Sequence, residues 1–308
     1  MSIQAFASMI LALSLLPSSA FAKLELADSG YDPITYQIGS EWGKFKITRE
    51  KYQAESYAFK RAALATAKVG NGTGFYLGKF NGFHVVATNH HVCSIGAQCL
   101  STNAVFPMLQ KAYKLDYWMG TFADIDLTLM AITVPAADEA LLAPIANNFA
   151  FSQDLLLGQK LLTIGFGAAG NPNGELMAGQ DSDCIVLSRS GEYRNMTDPD
   201  DSSPTSDHVW SFASGCDISH GDSGSAVIDR QTGALLGLFW TGRIPKNAKV
   251  RSSAYIQSLK TQPNDDIWKE LSYGVPAKKM ADSIQKYANT TSWIPAEVKA
   301  ALMKIIGR

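Results

Sequence analysis

From Val69 onward, short apolar runs alternate with glycine-rich or polar breaks: GTGFYLGKF, GFHVVATNH, LDYWMGTF and DIDLTLMAITV. Such runs, bounded by turn residues at short intervals, predict antiparallel strands in a barrel or sandwich, not βαβ units. A second block repeats the texture in KLLTIGFG, DCIVLSR, HVWSFAS, SAVIDR and GALLGLFWTG, with PIANNFAFSQD (144–154) as the connection. NPNGE (171–175) and TDPDDSSPTSD (197–207) are turn-forming and predict surface loops. The aspartates of the latter lack the spacing and terminal Glu of a calcium loop. Before the strands, residues 47–68 carry helical spacing and good helix formers, which predicts a helix over part of them. After them, PAKKMADSIQKYA and PAEVKAALMKII within 276–306 predict one or two Pro-initiated amphipathic helices that close the fold.

The ends divide the chain further. Residues 5–16, AFASMILALSLL, are apolar but shorter than the ~20 residues a bilayer requires. Ala20-Phe21-Ala22 follows as an A-x-A cleavage signal, so residues 1–22 read as a signal peptide, cleaved near Ala22. The expected organisation is then an N-terminal extension (23–68), two β-blocks over 69–255 (about 69–145 and 150–255), and a C-terminal helical segment (256–308). This predicts a secreted or periplasmic protein with no membrane span after cleavage. A net charge of −1 and 18% charged residues argue against a nucleic-acid or anionic-membrane surface. In an exported chain the four cysteines suggest two disulfides from three possible pairings. Sequence proximity favours Cys93–Cys99, which leaves Cys184–Cys216. A zinc site fits less well, because no paired CxxC spacing is present.

Candidate chemistry centres on CDISHGDSGSAVI (216–228). A serine hydroxyl becomes a useful nucleophile only when a base takes its proton and a third group orients that base. All five histidines, His84, His90, His91, His208 and His220, precede Ser223. This excludes the Ser…Asp…His order of α/β-hydrolases. The Asp…His…Ser order would have only Asp28 and Asp32 to use, and both are poorly placed. His…Asp…Ser remains.

With VVATNHHVC (85–93), ADIDLTLMAI (123–132) and Gly221-Asp222-Ser223-Gly224 in that order, the sequence resembles the two-barrel, chymotrypsin-like serine endopeptidases, in particular their bacterial branch. The resemblance spans roughly residues 70–255. It implies an all-β fold of two six-stranded antiparallel β-barrels packed together, with a C-terminal helix and a short helical N-terminal extension. It puts His91, of Thr88-Asn89-His90-His91-Val92, in the base position. Asp126, of Asp126-Leu127-Thr128-Leu129, becomes the orienting acid, with Asp124 as the fallback, and Ser223 the nucleophile. It also implies an oxyanion hole from the N–H groups of Gly221 and Ser223, protein or peptide substrates, and neither metal nor organic cofactor. His84 and His208 read as core or surface imidazoles.

The same resemblance sets Asp217, six residues before Ser223, at the base of the substrate pocket, which implies a preference for Lys or Arg. Phe239, Trp240, Thr241 and Gly242 would form its wall. No histidine follows Ser223, which counts against acidic substrates. Two departures stand out. Cys216 lies seven residues before Ser223, with Ser219 where the trypsin pattern has its cysteine. No Ile/Val-Val-Gly-Gly start exists, and Lys68-Val69-Gly70 is followed too soon by GTGF to supply one. Trypsin-style activation is therefore not expected, and the partner of Asp222 stays open, as does a pro-segment role for residues 23–68. Competing classes are a catalytically inactive binding protein on this fold and a serine esterase. Oligomeric state is not legible.

Overall fold

The computed structural model of the protein describes residues 32–94, 99–200 and 207–308. The expected signal peptide, residues 1–22, lies outside them. The strands of the extension and first block are β1 (Lys44–Lys46), β2 (Thr66–Val69), β3 (Gly72–Phe80), β4 (Phe83–Thr88), β5 (Asn103–Phe106), β6 (Lys111–Phe122) and β7 (Leu127–Ile132). Those of the second block are β8 (Leu161–Gly165), β9 (Met177–Gly179), β10 (Arg194–Met196), β11 (Val209–Ser214), β12 (Ala226–Asp229), β13 (Leu235–Gly242) and β14 (Ser272–Pro276).

The first block closes into an antiparallel barrel of order β2-β3-β4-β7-β6-β5. Successive side chains of a strand point to opposite faces, and β4 and β7 bury both. Val86, Met130 and Ile132 join a cluster that draws on all six strands and fills the barrel. Their neighbours Val85, Ala87, Leu129 and Ala131 belong to a larger core shared with the second block and the C-terminal helices.

The second block departs from the expected six-stranded barrel. It is an eight-stranded sheet of order β1-β9-β8-β12-β13-β14-β11-β10. Between β8 and β11 runs the segment 184–188, which bonds to both but forms only isolated bridges, Lys160↔Ile185 and Val186↔Ser214. A disulfide ties this segment to the chain just past β11: Cys184 and Cys216 are joined with their Cα atoms 3.9 Å apart. The other disulfide is Cys93–Cys99. The sheet also takes in β14, beyond residue 255, as an inner strand between β13 and β11, and it ends on β1 from the extension.

The helical signal in 47–68 resolves into α1 (Arg49–Ala54) and α2 (Tyr57–Ala65), after which the chain turns directly into β2. Ser56 separates them by capping α2, its side chain accepting from Phe59 N. At the C-terminus there are two helices, α3 (Ala277–Thr290) and α4 (Ala296–Ile305). In α3, Ala277, Met280, Ile284 and Ala288 repeat at helical spacing and are buried. No described helix is long and apolar enough to cross a membrane.

The Cys184–Cys216 bridge closes a loop with a sequence separation of 32, for which loop-closure entropy gives roughly 3.7 kcal/mol of stabilisation. The double substitution Cys184→Ser/Cys216→Ser is expected to lower the unfolding free energy by about that amount, measured as a reduced urea midpoint.

Candidate active site

Strand register places the first two candidate residues side by side. In the β4–β7 pair, Thr88 at the end of β4 lies opposite Thr128 at the start of β7. His91, just beyond β4, and Asp126, just before β7, therefore emerge at the same edge. Asp126 ends a single 3-10 turn in the left-handed region (φ 38°, ψ 47°), a conformation that Asp tolerates better than most residues. It is 3% exposed. One carboxylate oxygen accepts from His91 N at 2.9 Å and the other lies 2.7 Å from His91 Nδ1. Asn89 completes the clasp, its Nδ2 donating to the Asp126 carbonyl at 2.8 Å. Burial depresses the proton affinity of His91, but the hydrogen bond and charge of Asp126, with the charge of Asp198, outweigh it and hold its pKa above the ordinary imidazole value.

The fallback acid is elsewhere: Asp124 is exposed and accepts from Ser283 Oγ at 2.6 Å. His90 Nδ1 turns to Thr121 Oγ1 at 2.6 Å. His84 is a core imidazole against Tyr76 Oη at 2.9 Å, and His208 is exposed.

Ser223 sits on a turn built for two glycines. Gly221 has φ +92°, and a Cβ there would lie 2.5 Å from the Phe166 carbonyl oxygen. Gly224 has φ +86°, and its Cβ would lie 2.1 Å from the Thr73 carbonyl oxygen. Only glycine meets both demands. Thr73 of β3 then ties the turn to the first barrel. Its N–H donates to the Ser223 carbonyl at 2.8 Å and its Oγ1 to the Gly221 carbonyl at 2.7 Å. The N–H groups of Gly221 and Ser223 donate to no acceptor among the described residues. His91, Gly221 and half-buried Ser223 line one cavity of about 440 Å³, with Gly72, Val92, Thr102 and His220 around them.

Asp222, between these residues, is fully buried. One oxygen accepts from Ser219 N at 2.9 Å; the other accepts from Gly167 N at 3.0 Å and pairs with Lys44 Nζ. The sequence left this partner open. A lysine in the short strand KFK carries no mark that sets it apart from its neighbour Lys46, which is exposed and paired with Glu175. Among the described residues, no group of three or more His, Cys, Asp or Glu side chains is arranged to hold a metal.

The expected substrate pocket is not assembled. Asp217 is 2% exposed, and both of its oxygens are taken by the extension: Ile38 N donates at 2.8 Å and Gly43 N at 2.6 Å. Burial pushes its pKa up to about 8, against the pull of these two N–H groups. It anchors the chain and leaves no carboxylate to receive a Lys or Arg side chain. Phe239 is buried against Phe212, and Trp240 donates its indole N–H to Ser211 Oγ at 3.0 Å. Thr241 donates to Asp198 at 2.8 Å. A Cβ on Gly242 would lie 2.3 Å from the Ile218 carbonyl oxygen, so the backbone of residue 218 lies directly against Gly242. None of these five residues lines the cavity beside Ser223. The pocket expectation borrowed trypsin spacing for a loop whose cysteine is displaced and whose space is entered by an upstream segment.

A six-stranded barrel packed on a second sheet, with Ser223 and His91 facing one cavity, defines a protein of the chymotrypsin-like class. The trypsin-like peptidase domain profile matches residues 72–238, more than half of the chain. The chain belongs to the trypsin-like peptidase family and is a serine peptidase, a hydrolase. The comparison with curated proteins finds no match. Among solved structures it is similar to the Rv3671c protease of M. tuberculosis H37Rv. A serine-to-alanine mutant in the inactive form is 16% identical, with TM-score 0.48, over 80% of this chain and 98% of that one. The active form is 18% identical, with TM-score 0.46, over 75% and 83%.

The raised pKa of Asp217 has a consequence for stability. Between its unfolded value of 3.8 and its folded value of about 8, the native state holds a proton that the unfolded chain has lost. Its contribution is therefore fully present below pH ~4 and lost as pH rises to about 8. Urea unfolding is expected to give a free energy that falls over this window, with a shallower fall in Asp217→Asn.

Proposed function

We propose that the protein is an exported serine endopeptidase in which Ser223 is the nucleophile, His91 the general base and then acid, and Asp126 the group that orients His91. The observation that carries this reading is the double grip of Asp126 on His91 beside a cavity that His91 shares with Ser223. Ser223 Oγ attacks the scissile carbonyl carbon while His91 Nε2 takes its proton. The oxyanion of the tetrahedral adduct accepts from the N–H groups of Gly221 and Ser223, which have no other partner among the described residues. One such donor is worth about 3 kcal/mol of barrier. Collapse of the adduct breaks the C–N bond, and the leaving amine takes the proton from His91. Water then attacks the acyl ester with His91 again as base, and the freed acid and Ser223 are restored. Asp126 stays hydrogen-bonded to His91 throughout and balances the charge of the imidazolium.

Export is supported by the A-x-A signal ending at Ala22 and by the two disulfides, which persist in oxidising compartments. The lining around Ser223 consists of small and uncharged side chains apart from its imidazoles. No carboxylate lines this cavity, so nothing in it pairs with a Lys or Arg side chain of the cleaved peptide.

Ser223→Ala is expected to abolish peptide cleavage and fluorophosphonate labelling; a mutant still labelled would refute the assignment. Asp126→Asn should lower kcat by about 10⁴-fold, through loss of the correct His91 tautomer. It should also move the acid limb of the kcat/KM profile to lower pH, since the raised proton affinity of His91 derives from Asp126. A peptide-library digest mapped by mass spectrometry should give no enrichment of Lys or Arg before the cut sites.

A further inference from the structure

The buried pair Lys44–Asp222 lies outside the proposed triad, yet Asp222 adjoins the nucleophile. The side chains of both residues are essentially inaccessible to solvent. Asp222 also organises the turn around Ser223: it accepts from Ser219 N, Ser219 Oγ and Gly167 N, and its carbonyl accepts from Ser225 N at 2.8 Å. A buried carboxylate without a cation is driven to take up a proton or to move toward water. Either change would loosen the hydrogen bonds that shape residues 219–225.

The cation arrives from far upstream and is delivered on a fixed path. Gly39 N donates to the Val250 carbonyl at 2.8 Å, and Ser40 and Ser253 exchange reciprocal backbone-to-hydroxyl bonds at 3.0 and 2.9 Å. Asp217 binds the N–H groups of Ile38 and Gly43 on either side of this stretch. Lys44 itself opens β1, which pairs with β9 in the register Lys44↔Gly179. The segment 38–46 is thus held through its backbone at Ile38, Gly39, Ser40, Gly43 and β1, and its one buried cation pairs with Asp222.

We infer that Lys44 is a positioning residue for Ser223: through its ion pair with Asp222 it holds the nucleophile turn so that the Gly221 and Ser223 N–H groups converge on the oxyanion. The extension is then a permanent part of the working site, not an inhibitory pro-segment, and the charge that completes the turn is supplied by a side chain already in place. This rests on the assignment of Ser223 as nucleophile. Because the oxyanion exists only in the transition state and tetrahedral adduct, the effect falls on kcat and not on substrate binding.

The test compares wild type, Lys44→Met and, as a control on the same strand, Lys46→Met. The readouts are the rate of fluorophosphonate labelling at Ser223, kcat and KM on a peptide substrate, and thermal melting. Lys44→Met is expected to stay folded, to lose on the order of 100-fold in kcat and labelling, and to keep KM close to wild type. Lys46→Met should match wild type throughout. Ethylammonium added to Lys44→Ala should restore part of the labelling. A folded Lys44→Met labelled at the wild-type rate overturns this proposal alone. A wild-type chain that is not labelled at Ser223 overturns the nucleophile assignment and this proposal with it. Should Lys44→Met fail to fold, the Lys44→Ala arm decides. Labelling restored by ethylammonium supports the proposal. A chain that folds in the amine without labelling, or never folds, makes Lys44 a core residue only and overturns it.

Discussion

Buried carboxylates must find donors inside the protein, and in this chain that requirement fixes how distant segments meet. Asp126, Asp183, Asp217 and Asp222 are all under 5% exposed. A carboxylate removed from water costs several kcal/mol unless hydrogen bonds or a cation replace its hydration. Asp126 finds the backbone and ring of His91. Asp183 finds Ser253 and Gln257. Asp217 takes two N–H groups of the extension, and Asp222 takes Lys44 together with the turn around Ser223. These bonds tie the extension, the second sheet and residues near 253 to one another.

The two halves meet at Thr73 as well. Its backbone and hydroxyl hold the carbonyls of Ser223 and Gly221, and Gly224 has no Cβ because the Thr73 carbonyl occupies that space. The proposed nucleophile therefore belongs to the second block but is aimed by a strand of the first. His91 and Asp126 belong to the first block outright, at the edge where β4 ends and β7 begins. A site divided in this way depends on interdomain packing, and the large core shared by both blocks and the C-terminal helices supplies it.

Local chemistry made much of this legible in the sequence. Short apolar runs between turn residues gave the strands, the Pro-initiated repeats gave the C-terminal helices, and the absence of any histidine after Ser223 forced the order of the candidate triad. Gly221 and Gly224 were legible as members of the Gly-Asp-Ser-Gly motif, although their positive φ was not. What stayed hidden depends on contacts between positions far apart in the chain. Nothing local to Asp217 reveals that Ile38 and Gly43, more than 170 residues earlier, occupy its oxygens. Nothing local to KFK distinguishes a buried lysine from an exposed one. The isolated bridges of segment 184–188 are likewise a matter of tertiary pairing, which strand periodicity does not encode.

The charge arrangement around Ser223 explains why such long-range contacts matter for the proposed chemistry. Two carboxylates flank the proposed nucleophile, Asp126 through His91 and Asp222 next in sequence. The first is useful because the imidazolium that forms beside it is positive. The second, left bare, would face the developing oxyanion as a like charge. That repulsion is on the order of 2 kcal/mol for unit charges roughly 8 Å apart at an effective dielectric of 20. Pairing Asp222 with Lys44 removes the net charge while keeping the hydrogen bonds to Ser219 and Gly167 that need a carboxylate. A neutral residue at 222 would avoid the repulsion but give up those acceptors. A buried ion pair fed from the extension satisfies both demands at once, and the same short stretch of chain supplies the two N–H groups that Asp217 accepts.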